Sequence, residues 1–438
     1  MDAFINFIAY TLIIFIIFTT YYSYKKTGTL ILSFPLWPIY YWSIYGCLEV
    51  VNLKNDDNYH YIELEMMHFY LDENYILALV LYGIFILIFG MLIIEYSQKY
   101  SRRIDFNSAV ELVNKENKYT LRNACFAIIL LCIYYSGYEN DISYAKTYGV
   151  PIYEVTRQYS SLGSARMAFD FIGDLLLLMC VSNIITYSGA RNRAFMIILA
   201  IYFYLQLLMG NRSSLLIGGV VCILIYIEQN GIKRMLNRKA LFYTVSGFML
   251  ISLITFIRLT TVDNIMNVLG NYSMDDIIDI LSVGNDSIEK FAAHSSMYFS
   301  LRENLDINYG SSIYYLISSF VPGFLEVERP ETIYQYYING IGIVSNKGFT
   351  INHITAWFLN FGIVGICVGA YIWAKILIFL YDKYRVKKTY HTYLMAVFFS
   401  SYAIQMIRGG GLESYKGGLL LGAVIPAFII KFLNKKWW

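Results

Sequence analysis

Apolar runs long enough to cross a bilayer recur from one end of the chain to the other, separated by short polar stretches. About 17–25 apolar residues span the hydrocarbon core, so each such run predicts a transmembrane helix. Eleven runs qualify, at about 3–22, 29–46, 75–95, 123–138, 168–187, 194–210, 213–229, 240–258, 351–379, 390–407 and 416–433. The second carries Pro35 and Pro38, which would kink it. The first is followed by Lys25 and Lys26 rather than by a small-residue cleavage site, so it reads as a span and not as a signal peptide.

Basic residues in every second connection fix an orientation. Lys25 and Lys26 follow the first run; Lys99, Arg102, Arg103, Lys115, Lys118 and Arg122 lie between the third and fourth. Arg191 and Arg193 follow the fifth, Lys233, Arg234, Arg238 and Lys239 the seventh, and Lys383, Arg385, Lys387 and Lys388 the ninth. Lys431, Lys435 and Lys436 end the chain. Positive residues stay on the cytoplasmic side, so the pattern predicts an external N-terminus and a cytoplasmic C-terminus. The opposite connections differ: 47–74 is acidic, 139–167 is rich in Tyr and Ser, and 259–350 is by far the longest. A long connection in a compact protein is usually functional. The expected organisation is transmembrane helices 1–8 over residues 1–258, a large external loop of short helices over 259–350, and helices 9–11 with a cytoplasmic tail over 351–438. The fold class is an all-α polytopic membrane protein of about 11 (10–12) transmembrane helices.

Composition agrees. Of the 438 residues 57% are hydrophobic and 15% charged, with mean hydropathy +0.49. Soluble domains carry about 25% charged residues. The net charge of +3 comes without a basic stripe outside the connections, which excludes a nucleic-acid binder. Six cysteines are scattered, none in a CxxC pair, and read as small packing residues. Nucleotide-binding glycine motifs are absent, and the cytoplasmic connections are too short for a soluble sugar-nucleotide domain. Any glycosyl donor would therefore be lipid-borne and met on the external side.

Candidate chemistry gathers at that side. Arg212 sits in the short Gly210–Ser214 turn, Arg258 at the outer end of the eighth run, and Arg408 opens Arg408-Gly409-Gly410-Gly411-Leu412-Glu413-Ser414. One arginine at a membrane edge would simply snorkel. Three on one face, two of them in Gly/Ser-rich turns, suit a phosphate, because each guanidinium offers a planar fork of donors. Arg329 and Lys347 are possible helpers from the long loop. His353 and Glu413 are candidate general bases. Tyr309, Tyr314, Tyr315, Tyr334, Tyr336, Tyr337 and Trp357 offer flat apolar faces for sugar rings, although each alone reads equally as packing. Asp170 and Asp174 share a helix face, but without a third ligand they make no metal site.

Three stretches carry a resemblance. Gly210-Asn211-Arg212-Ser213-Ser214, Phe320-Val321-Pro322-Gly323 followed by Arg329-Pro330, and Asn360-Phe361-Gly362-Ile363-Val364-Gly365 resemble the Wzy polysaccharide polymerases, or oligosaccharide repeat-unit polymerases. The Arg408–Ser414 turn resembles their enterobacterial common antigen branch. The resemblance covers roughly residues 160–430 and implies a GT-C-like glycosyltransferase fold. It also implies transfer of a growing glycan from undecaprenyl pyrophosphate to the non-reducing end of another lipid-linked repeat unit, with no metal or other cofactor. The implied setting is a bacterial inner membrane, with a flippase and a chain-length regulator as partners. Arg212, Arg258 and Arg408, helped by Arg329 and Lys347, would bind pyrophosphate. Three other readings stay open: an O-antigen ligase, with His294 and His353 as its histidines, a flippase or transporter, and a non-catalytic assembly subunit of an export complex.

Overall fold

The structure is a computed structural model. It describes residues 2–46, 70–99, 120–149, 166–186, 190–209, 212–232, 286–321, 328–342, 350–387, 389–408 and 411–433, together with Ile152 and Val155. The expected span at 240–258, and with it Arg258, lies outside the described residues, as does Lys347.

Among the described residues every regular element is helical and none is a strand. In chain order, α1 is Asp2–Thr27, α2 Leu36–Tyr40, continued by a π-helical turn at Tyr41–Tyr45, and α3 Glu73–Lys99. Next come α4 Thr120–Tyr148, α5 Arg166–Thr186, α6 Ala190–Leu208 and α7 Arg212–Asn230. The segment after Asn285 forms α8 Asp286–Arg302, α9 Ser311–Ser318 and α10 Ile333–Gly340. The last elements are α11 His353–Lys387, α12 Tyr390–Ser401, α13 Ala403–Arg408, a π-helical stretch Lys416–Val424 and α14 Ile425–Leu433. Among the described residues, five helical stretches are long and apolar enough to cross a membrane: Asp2–Thr27, Glu73–Lys99, Leu121–Tyr148, His353–Lys387 and Lys416–Leu433. The chain is therefore an α-helical protein of membrane character. It divides into two compact units.

The first unit comprises Met1–Ile104, Asp286–Asp382 and Tyr402–Leu419. Its frame is the α1–α3 pair. Ile5, Ala9, Leu12, Ile16, Thr19 and Ser23 recur at steps of three and four and are buried on one face of α1. Phe7, Tyr10, Ile14, Phe18 and Tyr21 are more than half exposed on the other. A helix apolar on both faces needs lipid on its free side. Where the pair closes, the Ser97 hydroxyl donates to Ser23 Oγ at 3.1 Å, an interhelical bond that stands in for the missing hydrophobic drive between helices in lipid.

Against α3 and the π-helical turn packs α8, whose residues 292–300 are all buried. Short helices over the surface were expected in this region. The structure shows two short ones, α9 and α10, and one 17-residue helix, α8, packed inside the unit. Its run His294-Ser295-Ser296 is too polar to read as core from hydropathy. It is buried because each polar group finds a partner: Tyr82 donates to the Ala293 and His294 carbonyls at 3.3 and 3.0 Å, and Ser296 and Thr355 share a hydrogen bond at 2.9 Å.

The expected uninterrupted span at 351–379 is broken. In α11, Phe361 (φ −145°, ψ 17°) and Gly362 (φ 62°, ψ −149°) leave helical geometry. The Gly362 conformation is open essentially to glycine alone. The break frees the Leu359 carbonyl, which accepts the Asn308 N–H at 2.7 Å. Asn360, fully buried, donates to the Ala356 carbonyl at 2.6 Å and to Ser312 Oγ at 3.0 Å. A two-turn piece, His353–Asn360, is thereby tied to the start of α9. The remaining 363–387 piece is about 37 Å long at 1.5 Å per residue, enough to cross a bilayer unaided. The second expected span, 29–46, is likewise not one straight helix: turns at 31–35 lead to Pro35 and the short α2.

The second unit comprises Asp105–Asn285, Lys383–Ser401 and Leu420–Trp438. Helices α4, α5 and α6 pack mutually, with Gln206 donating to the Tyr134 hydroxyl at 2.6 Å and Tyr138 to Asp170 at 2.9 Å. Helix α12, almost wholly buried, packs on α7 and α14, and its Tyr390 donates to the Ser182 carbonyl.

Candidate functional site

Three pieces of the first unit meet around His353. The imidazole is the first residue of α11 and fully buried. Its Nε2 accepts the Trp357 indole N–H at 3.1 Å, one helical turn on. Indole nitrogen can only donate, so this Nε2 carries no proton. Nδ1 then carries it in the neutral ring and donates to Ser414 Oγ at 3.3 Å. The Trp373 and Tyr415 rings stand edge-on to the imidazole with centroids 5.3 and 5.2 Å away. His353 is thus a neutral, wedged residue whose lone pair is already engaged, a poor arrangement for a general base.

Ser414 and Tyr415 belong to the turn that begins at Gly411. That turn closes by backbone bonds from the N–H groups of Ser414, Tyr415 and Lys416 to the carbonyls of Gly411, Leu412 and Glu413. Leu412 anchors it, only 3% exposed. The Glu413 side chain folds back over Gly411, against Ile333 of α10. Burial raises the Glu413 carboxyl above the usual carboxylate range, while backbone N–H groups of Gly411 and Glu413 itself oppose the shift. One polar atom here, Glu413 Oε2, is buried without a hydrogen bond among the described residues, while the Tyr415 hydroxyl faces the Trp357 side chain. Buried polar groups are paired in the great majority of cases, and orphans call for an explanation.

Two candidate arginines, Arg408 and Arg329, belong to the same unit. Arg408, the last residue of α13, holds its guanidinium 5.7 Å above the Trp42 ring and is half-buried. Arg329 donates from Nη2 to the Val321 carbonyl at 2.8 Å. The structure thus brings His353 and Trp357 together with Ser414, the residue after Glu413; Arg408 lies five residues upstream of Glu413 in sequence. Trp357, 4% exposed and lying against Gly369, is a packing and hydrogen-bonding residue rather than an open sugar platform. Of the tyrosine candidates, Tyr309 is 88% exposed, Tyr314 exposed and Tyr315 half-exposed. Tyr336 donates to the Asp306 carbonyl at 2.9 Å, and burial together with the Asp306 and Glu331 carboxylates raises its phenol. Tyr337 is buried. Arg212 begins α7 in the second unit.

Tyr415 and Lys416 sit at the start of an apolar run and in the sequence read only as its edge. His294 was noticed, but not its setting. Its Nδ1 donates to the Ser43 carbonyl at 2.7 Å and its Nε2 meets the Tyr75 hydroxyl at 2.7 Å. With both nitrogens bonded and 1% exposure, His294 pins α8 to the π-helical turn. His294→Leu should therefore act on stability: each stranded partner costs roughly 1–3 kcal/mol. The thermal midpoint of the purified protein in detergent should fall sharply; an unchanged midpoint with lost activity would make His294 catalytic instead.

No group of three His, Cys, Asp or Glu side chains arranged for a metal occurs among the described residues. Comparison with protein-family models, curated proteins and solved structures finds no match to this chain.

Proposed function

We propose that the chain is a membrane glycosyltransferase of the Wzy class, a lipid-linked polysaccharide polymerase of GT-C-like fold at the external face of a bacterial inner membrane. The observation that carries this reading is the buried Glu413 carboxyl, whose Oε2 lacks a hydrogen bond among the described residues, in the turn that begins at Gly411. The motifs behind the resemblance also have clear local roles: Asn360-Phe361-Gly362 makes the break in α11, and the Glu413-Ser414 turn meets His353.

In the proposed reaction an acceptor sugar hydroxyl attacks the anomeric carbon of the donor glycan. The bond from that carbon to the undecaprenyl pyrophosphate oxygen breaks, and the electron pair leaves with the pyrophosphate. Arg408 and Arg329 stabilise the charge that develops there. Glu413 takes the hydroxyl proton; a carboxylate lifted by burial is the stronger base. His353 holds the turn through Ser414. Tyr309, Tyr315 and Tyr336 remain the proposed sugar contacts, and a flippase and a chain-length regulator the proposed partners.

The test is a glycan ladder from a deletion strain complemented with wild type or with Arg408→Ala, Arg329→Ala, Arg212→Ala or Arg258→Ala at matched membrane levels. The last two arginines enter from the sequence alone. Deletion should leave single repeat units, and Arg408→Ala should fail to restore the ladder, losing about 100-fold or more in activity. Full-length polymer left on the lipid carrier would make the protein a ligase. An unchanged ladder would overturn the enzyme reading in favour of transport.

A further inference from the structure

The end of α9 collects two cations. Lys416 Nζ donates to the Ser319 carbonyl at 2.5 Å and to its hydroxyl at 3.3 Å, and lies 4.9 Å over the Phe320 ring. Arg329 caps the carbonyl two residues on, at Val321. Cations at C-terminal carbonyls are ordinary, since they complement the helix dipole. Two of them within one turn are not, because each opposes the other's charge, and Arg329 lies close enough to Lys416 to do so. Among the described residues neither has an ion-pair partner: Glu328 is exposed beside Arg329, and Glu413, one turn before Lys416, is turned back over Gly411. Donors are also left over. An ammonium has three N–H groups and a guanidinium five, and the bonds to Ser319 and Val321 use only part of them.

We propose that Lys416 and Arg329 form an anion subsite for a phosphate group, and that its ligand is one phosphate of the lipid-linked pyrophosphate; the Ser319 hydroxyl, which donates to the Leu316 carbonyl at 2.7 Å, only helps to hold Lys416. This deepens the polymerase reading and rests on it for the ligand's identity. Lys416 binds at the turn that carries Glu413, so a phosphate held there lies within the same few residues as the proposed base.

The experiment uses the full chain in nanodiscs of zwitterionic lipid, titrated calorimetrically with inorganic pyrophosphate. Lys416→Gln and Arg329→Gln should each weaken binding about tenfold or more, with Lys416→Arg retaining it and the losses growing at low salt. Arg329 is exposed, so its variant should keep the wild-type thermal midpoint and remains informative if Lys416→Gln fails to fold. A second arm adds phosphatidylglycerol to the nanodiscs. Competition with pyrophosphate in wild type, lost in the variants, would mean that the subsite accepts lipid phosphate generally; no competition would mean that it selects pyrophosphate. No pyrophosphate binding by wild type, or equal binding by both neutral variants, overturns the proposal. The two readings separate cleanly. An unaltered ladder on gene deletion with lost pyrophosphate binding in the variants sinks the polymerase and keeps the subsite; a collapsed ladder with undiminished binding does the reverse.

Discussion

Glu413→Gln should yield a protein that is more stable than wild type at neutral pH and nearly inactive. The carboxyl is held above the usual range mainly by burial, with one oxygen lacking a hydrogen bond among the described residues. The folded state therefore keeps a proton at a pH where the unfolded chain has lost it. The unfolded state binds fewer protons there, so stability falls as pH rises from the ordinary glutamate value through the raised one, and the whole penalty is present above it. Glutamine is close in shape and carries no charge, so it removes the penalty. The gain should be roughly 0.5–2 kcal/mol, the size common for relieving a strained functional position. Its signature is a thermal-midpoint difference that vanishes in acid and grows with pH. Loss of a general base should cost about 100- to 10,000-fold in glycan transfer. A variant less stable than wild type at pH 7, or one that still builds the ladder, would remove Glu413 from this role.

Gly365→Ala should be among the most damaging single-methyl changes in the chain. A Cβ at Gly365 would stand 2.2 Å from the Trp357 carbonyl oxygen and 3.0 Å from Phe361 Cβ. The first neighbour is backbone, which cannot swing aside as a side-chain tip can. The approach exists because the break at Phe361–Gly362 lets His353–Asn360 lie close to the piece that follows. A methyl group would push that piece away, and with it His353 and the Trp357 indole that bonds it. Overpacking of this kind costs about 3 kcal/mol or more. The control is Gly219→Ala in α7, where a Cβ meets nothing within 4 Å. That substitution should be neutral or stabilising by roughly 0.5–1 kcal/mol through helix propensity. Thermal unfolding of the two variants in one detergent decides the matter, and equal midpoints would refute the clash.

How far the sequence reached is clearest at particular residues. Most described runs that read as spans are single helices, because length and apolarity act locally and need no partner; 29–46, 351–379 and 390–407 are interrupted. The Asn360-Phe361-Gly362 motif was visible as letters, but not as a break: its conformation depends on the Asn308 N–H and Ser312, about fifty residues earlier, which give the freed groups their partners. His353 was visible as a candidate base, but not as a residue whose lone pair is occupied, since Ser414 lies 61 residues away. Trp357 looked like a sugar platform because exposure is not written in a tryptophan. Lys416 was missed because a lone lysine at the edge of an apolar run looks like a membrane anchor, and Ser319 lies 97 residues upstream.

By itself, then, the sequence determined the helical, membrane-compatible character of the protein and the turn at Gly411–Lys416 that holds Glu413, since hydropathy and glycine content act within a few residues. Tertiary structure alone decided which polar groups are satisfied and which are left over. That depends on pairing between segments far apart in the chain, and burial makes any group without a partner costly enough to matter.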